Sequence, residues 1–160
     1  MFLTFNFITL NLLHFELVTP EKTILKQELQ SLTCPTTMGK ITILPGHTPL
    51  VANLIPGELI AKMDDKGIFL HVSGGFVEIR QNNEIVVLAD AAEHAGEIDE
   101  QRAVEAKQRA EKMLKEKQLF GEEYARVAAS LERSLSRLRI AKRHAHKKST
   151  PITGEGVFKE

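Results

Sequence analysis

The residues best suited to chemistry lie near the end of the chain. Between residues 133 and 148 there are seven basic side chains and two histidines, and no acidic residue. Arg133 and Arg137 are four residues apart, so they would share one face of a helix. The planar guanidinium group of arginine matches the oxygens of phosphates and carboxylates. This segment could therefore bind an anion, but from the residues alone the preferred interpretation is solvated helix charges that pair with Glu105, Glu111 or Glu132.

Motifs for covalent catalysis are missing from the sequence. Ser73 in the segment Val72–Gly75 lacks the Gly-x-Ser-x-Gly elbow of hydrolases, and there is no phosphate-binding loop of the P-loop type. Cys34 is the only cysteine, which excludes an internal disulfide and any multi-cysteine metal site. His144 and His146 could hold a stray metal ion, but a solvated helix end is the preferred interpretation. We expect no enzymatic activity, and a nucleotide would be a ligand and not a substrate.

Short β-strands are predicted for the part of the chain between Phe15 and Ala91. Pairs of turn-forming residues, such as Pro45-Gly46 and Asn82-Asn83, separate apolar runs at intervals typical of an all-β sandwich or barrel. No helical pattern intervenes, which argues against a parallel α/β sheet. The candidate strands are residues 14–19, 40–44, 50–55, 68–72, 76–80 and 84–88.

From Ala91 onward, the sequence predicts an antiparallel helical hairpin. Ala, Glu, Lys and Gln dominate residues 91–118, and Asp99 is placed to complement the dipole of the first helix. Gly121 interrupts the pattern. The first predicted stripe of contact residues is Ala103, Ala106, Ala110 and Met113, and the second is Tyr124, Ala128, Leu131, Leu135 and Leu138. Such a hairpin has few large apolar side chains to offset its backbone entropy, so we expect it to be a moving part.

Composition and charge limit the possible functions. The 160 residues have a net charge of zero, yet residues 1–96 carry six basic and ten acidic side chains, whereas residues 97–148 carry fourteen basic and nine acidic ones. With no Trp and one Tyr, the chain has few platforms for stacking single-stranded nucleic acid. The apolar residues 1–15 lack the basic start of an export signal and are interrupted too early for a spanning helix. They are predicted to lead into a first strand, and a peripheral membrane contact is the alternative.

An ordered set of segments resembles one known family. TILPGHTPLVANLIPGEL (42–59), VSGGFVEI (72–79), VLADAAEHA (87–95) and IDEQRA (98–103) follow one another at the right distances. Together they are similar to the epsilon subunit of the F-type ATP synthase, over about residues 13–142. The resemblance implies a β-sandwich of about ten strands at residues 13–95 and a regulatory helical hairpin at 96–148. An extension at 1–12 and a flexible tail at 149–160 flank them.

The family's role, by resemblance, is that of a non-enzymatic rotor subunit on the central stalk. It couples proton-driven rotation to ATP synthesis, and its hairpin inhibits ATP hydrolysis. The implied partners are the gamma subunit, the ring of c subunits and the alpha/beta catalytic head. The implied location is peripheral, on the cytoplasmic face of the bacterial cell membrane.

The resemblance also implies a regulatory ATP site with no other cofactor. The family's Ile/Leu-Asp-x-x-Arg-Ala motif is present, and arginines on the second helix together with an acid before the first helix complete the set. The positions that match are Glu93, Ile98, Asp99, Arg102, Ala103, Arg133 and Arg137. Bound ATP would hold the hairpin folded.

Two further contact regions follow from the same resemblance. Arg133, Arg137 and Lys142 would meet an acidic segment of the catalytic beta subunit in the inhibited state. Lys40 and His47 would face the c-ring, although the family usually has an acid where this chain has Lys40. The competing hypotheses are an adaptor that binds nucleic acid through its basic helix and a free-standing nucleotide sensor.

Overall fold

The computed structural model describes residues 11–64 and 66–148, with side chains described as far as residue 145. Ten strands come first and two helices follow, which confirms the predicted sandwich and hairpin. The chain divides into two compact units between His94 and Ala95. Most of the predicted extension at 1–12 and all of the predicted tail at 149–160 lie outside the described residues.

The strands are short, and most are joined by tight turns. Their bounds are β1 Leu13–Val18, β2 Thr23–Leu29, β3 Ser31–Thr36, β4 Gly39–Ile43, β5 Leu50–Leu54, β6 Gly57–Met63, β7 Lys66–Val72, β8 Gly75–Ile79, β9 Glu84–Ala89 and β10 Ala92–His94. The helices are α1 Glu100–Glu116 and α2 Gly121–Lys148.

Hydrogen bonding links the strands in the order β10-β7-β6-β3-β5-β8-β9-β1-β2, with β4 paired to β3. All neighbours are antiparallel except β1 and β9, which run parallel. The backbone N–H of Gln30, just after β2, donates to the carbonyl of Lys62 on β6 at 2.9 Å. One end of the strand order therefore returns to its middle, and the layers enclose a common core.

Alternation of side chains along each strand builds this core. In β1, Leu13, Phe15 and Leu17 are buried while His14 between them is exposed. β9 repeats the pattern with Ile85 and Val87. Because successive side chains of a strand point to opposite faces, each strand contributes one apolar face to the interior.

Turn residues adopt the backbone conformations that the sequence predicted. Asn82 and Asn83 both have φ of 62°, which Asn tolerates better than most residues. At Gly75, φ is +120°, and an added Cβ would collide with the carbonyl oxygen of Leu88. Only glycine fits there, because the first residue of β8 lies against the backbone of Leu88 and Ala89 at the end of β9.

Four strands were not located individually by the sequence, namely β2, β3, β6 and β10. β10 lies at the start of the segment 91–118, whose composition favours helix, whereas the hairpin itself was predicted to begin at residue 96. The segment from Ala92 to His94 is extended because it pairs with β7. Tertiary pairing overrides local helix propensity over such a short segment.

The contact stripe predicted for α1 holds, whereas the one predicted for α2 is right at Leu138 and wrong at Tyr124 and Leu135. Ala103 and Ala110 of α1 are buried. On α2, the buried residues include Val127, Ser134 and Leu138, whereas the predicted Leu135 is 39% exposed and Tyr124 is 54% exposed. Ser134 can be buried because its Oγ donates to the carbonyl oxygen of Ser130 at 2.9 Å. Gly121 begins α2, with φ of +56°.

Candidate functional site

The start of α1 is fixed by Asp99, which caps the helix. Its Oδ1 accepts a hydrogen bond from the backbone N–H of Arg102 at 3.0 Å. Side chains three residues apart on a helix, such as those of Asp99 and Arg102, can form an ion pair with each other. Instead the carboxylate is engaged with the backbone, as N-cap residues usually are. The guanidinium of Arg102 is exposed and forms no ion pair within the part of the chain that the structure describes.

A groove between α1 and α2 collects three arginines. It has a volume of about 400 Å³, and Arg109 from α1 lines it together with Arg126 and Arg133 from α2. Its floor is made of small or flexible side chains, namely Ala106, Ala110, Met113, Val127 and Ser130. None of the three arginines forms an ion pair with a described residue. Such a cluster of like charges favours an anionic ligand.

The acids named as alternative partners of these arginines are engaged elsewhere or unpaired. Glu105 accepts from Gln101 at 3.4 Å, and Glu111 lies 3.5 Å from Lys107. Glu132 forms no ion pair among residues 11–64 and 66–145. For Arg133, the interpretation as a helix charge neutralised by one of these acids therefore lacks its expected contact among the described residues.

The predicted nucleotide residues are divided between two grooves. Arg133 lines the arginine groove, whereas Ile98 lines a smaller groove of about 160 Å³ with His144 of α2. Asp99, Arg102, Ala103 and Arg137 line neither groove.

The antiparallel register nevertheless brings two of the predicted arginines to the same level of the hairpin. The arginine groove places residues 106–113 opposite residues 126–133, and the smaller groove places residues 98–100 opposite residues 141–145. By the same register, Arg102 lies at the level of Arg137. Arg109 and Arg126 were not among the predicted residues. Arg109 lies seven residues after Arg102, and Arg126 lies seven residues before Arg133. Seven residues are about two helical turns, so helical spacing could have revealed both arginines.

The remaining basic positions of α2 are accessible to solvent. Lys142 is exposed, Arg137 is half-buried, and His144 is half-buried. The side chain of His146 lies outside the described residues, so the hypothesis of a stray metal at His144 and His146 stays a prediction. Among the described residues, no group of three His, Cys, Asp or Glu side chains could hold a metal ion.

Glu93 lies on β10 in the β unit, directly opposite His71 of β7. Its Oε1 is 3.5 Å from Nδ1 of His71, which has no exposed surface. His71 was not among the site residues predicted from the sequence. Its signal was a histidine within the otherwise apolar run of residues 68–72, a position normally filled by an apolar side chain.

Lys40 and His47 occupy the β4 strand and the turn after it. Lys40 is exposed and pairs in register with Pro35. Nδ1 of His47 lies 2.7 Å from the carbonyl oxygen of Thr48, and the neighbouring N–H of Gly46 donates to Asn83 at 2.7 Å. His47 is therefore a turn residue with a polar contact, as predicted.

Cys34 has the environment of a structural thiol. It is fully buried on β3, and burial raises the pKa of its thiol to about 12. A thiol of this kind is protonated at neutral pH and unsuited to nucleophilic chemistry.

Among the described residues, no helix has both the length and the apolar character needed to cross a membrane.

Comparison with known proteins identifies the family of both units. Residues 12–95 match the family model for the beta-sandwich domain of the ATP synthase Delta/Epsilon chain, and residues 97–142 match that for its long alpha-helix domain. An ATP synthase epsilon chain of Dehalococcoides mccartyi is 44% identical over 135 residues, covering 84% of this chain and 96% of the relative. An ATP synthase epsilon chain of Nitratidesulfovibrio vulgaris is 40% identical over 131 residues, covering 80% of this chain and 94% of the relative.

Solved structures agree on the fold. A chain in the mitochondrial ATP synthase of Euglena gracilis has a TM-score of 0.69 at 21% identity, covering 85% of this chain and 82% of that one. A chain in the central stalk and c-ring structure of the Tetrahymena thermophila mitochondrial ATP synthase has a TM-score of 0.55 at 18% identity. The match covers 82% of this chain and 95% of that one. The sequence relatives leave the nucleic-acid adaptor hypothesis without support. The chain belongs to the ATP synthase delta/epsilon family, as an epsilon-type, non-catalytic subunit.

Proposed function

We propose that the hairpin of this stalk subunit regulates the ATP synthase by binding anions in two alternative ways. In the first, ATP binds across α1 and α2 and holds the hairpin folded. In the second, the same basic surface of α2 meets an acidic segment of the catalytic head and inhibits ATP hydrolysis. The supporting observation is the set of arginines on the facing helices without ion pairs among the described residues, Arg102, Arg109, Arg126 and Arg133.

In the ATP-bound form, arginines from both helices would share one ligand. Arg102 from α1 and Arg133 and Arg137 from α2 would contact phosphate oxygens, because a guanidinium offers several donors to one anion. Ile98 and Ala103 would contact the base or ribose, Asp99 would keep its role as helix cap, and Glu93 would accept from the ligand. A ligand held by both helices stabilises only the folded hairpin, since it binds the unfolded or extended form less well.

A titration of the purified chain with ATP tests this role. Calorimetry and amide chemical shifts should report saturable binding at millimolar ATP or below, and the double variant Arg133→Ala/Arg137→Ala should lose it. Arg139→Ala is the matched control, because Arg139 is an exposed arginine of the same helix that lines neither groove. Equal ATP binding by wild type and the double variant would overturn the proposal.

Inhibition of ATP hydrolysis would depend on Arg133, Arg137 and Lys142. Opposite charges steer docking and hold an interface with salt-sensitive strength. In a reconstituted catalytic head, a chain with all three changed to Glu should inhibit several-fold less than wild type. A chain lacking residues 97–160 should not inhibit, and Arg139→Glu should resemble wild type. Unchanged inhibition by the triple variant would exclude these contacts.

The β unit would join the gamma subunit and the c-ring, with Lys40 and His47 on the ring-facing surface. Lys40 is exposed on β4, and His47 lies in the turn that follows this strand. A Lys40→Cys variant should cross-link to a cysteine placed in the c-subunit loop. Cys34 is buried and would not compete. A cysteine at Lys66, which is also exposed on a strand, serves as the control position.

We also propose that this assembly places the chain at the cytoplasmic face of a bacterial membrane. Peripheral attachment through the complex predicts that the chain sediments with membranes at low salt. Stripping the catalytic head and stalk from those membranes should release it. A chain recovered only in the soluble fraction of intact cells would contradict this location.

A further inference from the structure

His71 is a buried imidazole without hydrogen bonds. Its exposure is 0%, and neither Nδ1 nor Nε2 has a hydrogen-bond partner among the described residues. A polar group in this position is costly unless something compensates for the lost water. Oε1 of Glu93 lies 3.5 Å from Nδ1 of His71. This distance is longer than that of an ordinary hydrogen bond.

Two carboxylates flank this imidazole across the sheet. His71 of β7 is in register with Glu58 of β6 on one side and with Glu93 of β10 on the other. Side chains at directly opposite positions of neighbouring strands share one face of the sheet and interact. Glu58 is 5% exposed, and the side chain of Glu93 is 27% exposed. Glu58 and Glu93 are the charged groups that the neighbouring strands present in register with His71.

Strand β10 lies at one edge of the sheet. It pairs only with β7, through Ala92, Glu93 and His94. The next residue, Ala95, begins the helical unit. A short edge strand with one neighbour opens more readily than a central one. A change in the charge of His71 would therefore act on an edge strand that has a single neighbour.

We propose that His71 is a positioning residue for Glu93. When His71 is protonated, it donates to the Glu93 carboxylate and holds that side chain and β10 against β7. When His71 is neutral, it no longer offers a charge-assisted hydrogen bond, and this contact weakens. Histidine is the side chain that ordinarily changes its charge between about pH 5 and 8, and a charge-assisted hydrogen bond is about twice as strong as a neutral one.

Hydrogen exchange of the full chain tests this assignment without any nucleotide. Protection factors of the β10 amides, corrected for intrinsic exchange, would be measured at pH 5.5 and pH 7.5. We expect about tenfold greater protection at pH 5.5 in wild type, the factor that corresponds to one charge-assisted hydrogen bond. The variants His71→Gln and Glu93→Gln should each remove this pH dependence, while the ¹⁵N shifts of the imidazole follow its charge.

The surface pair of His14 and Glu28 provides a matched control. Its Nδ1 and Oε1 atoms are also 3.5 Å apart, but the two side chains are 58% and 55% exposed. His14→Gln should leave the pH dependence of β10 unchanged. If His71→Gln does not fold, the partly exposed Glu93→Gln decides the question alone. Equal pH dependence in wild type and Glu93→Gln, or none in wild type, would overturn the assignment.

A consequence for nucleotide binding rests on the function proposed above. If Glu93 contacts ATP, wild type should bind ATP several-fold more weakly at pH 5.5 than at pH 7.5. In His71→Gln this ratio should shrink, with only the pH dependence of ATP itself remaining. If ATP fails to bind at any pH, the nucleotide role of the hairpin fails, and the amide protection of β10 still decides the role of His71.

Discussion

The two units of this chain bury different kinds of residue. The β unit encloses large apolar side chains such as Phe15, Leu29 and Ile85, all at 1% exposure or less. The helical unit buries mainly alanines, such as Ala103 and Ala110, and few larger side chains. Because the stabilisation from burial grows with the apolar area removed from water, the sandwich has much more of it than the hairpin.

This difference separates a rigid body from a part that can open. Local unfolding is easiest where few buried apolar contacts hold a segment. The hairpin also carries the excess of positive charge, so its own charges oppose a compact form. We expect the β unit to keep its structure in conditions where the hairpin exchanges between conformations.

The largest loss of stability is expected for Phe15→Ala in the sandwich, and this variant tests the difference between the two units. Removing a fully buried aromatic ring leaves a cavity and should reduce the free energy of unfolding by about 3–5 kcal/mol. Phe76→Ala is the matched control, because Phe76 is 42% exposed on β8 and should cost much less. Urea denaturation of both variants measures the difference. Similar losses in the two variants would show that Phe15 is not part of a tightly packed core.

The corresponding change in the hairpin is Leu138→Ala. It should cost about 2 kcal/mol, and the loss should appear as faster amide exchange in α1 and α2 with no change in the strands. Leu135→Ala is the control, since Leu135 is 39% exposed on the same helix. A parallel loss of protection in the sandwich would mean that the two units unfold as one.

Cys34 gives the sandwich a dependence on alkaline pH. Burial raises the pKa of its thiol from 9.0 to about 12 in the folded chain. The unfolded chain therefore loses the proton first, and stability is fully present below pH 9 and declines as the pH rises toward 12. By pH 10 this loss is about 1.4 kcal/mol.

The variant Cys34→Ala isolates that contribution from other groups that titrate at alkaline pH. The difference in unfolding free energy between wild type and the variant should be constant from pH 6 to 8. It should then shrink by about 1.4 kcal/mol at pH 10. A difference that stays constant to pH 10 would contradict the burial of the thiol.

The smallest expected effect is at the cap of α1. Asp99→Ala removes the acceptor for the N–H of Arg102 and should cost the hairpin about 1 kcal/mol. Asp99→Asn keeps a capping oxygen and should retain most of this stability. Amide exchange of residues 100–103 measures both. Equal behaviour of the Ala and Asn variants would show that the cap contributes little.

The sequence located the features that depend on local chemistry. Asn82 and Asn83 marked a turn because they tolerate positive φ, and Asp99 marked a helix start because its carboxylate can accept from a free N–H. It missed β2 and β3, since these strands take their register from neighbours and not from a clear alternation of their own. Within the arginine groove, it found Arg133 but not Arg109 or Arg126, which line the same groove only through the packing of the two helices.

The phase of α2 shows the same limit in one element. Heptad-like spacing allowed either Leu135 or Ser134 to face inward, and the larger apolar residue was the natural expectation. The structure buries Ser134, whose hydroxyl donates to the carbonyl of Ser130, and leaves Leu135 39% exposed. A small side chain with an internal hydrogen-bond partner can be buried at little cost.

By itself, the sequence determined the order of β unit and hairpin, the turns between strands and the family to which the chain belongs, because each of these is carried by residues near one another in the chain. Only the tertiary structure placed His71 between Glu58 and Glu93, and Arg109 beside Arg133. These contacts join residues far apart in the chain through strand register and helix packing. Both are decided by the burial of many side chains together and not by the chemistry of any single residue.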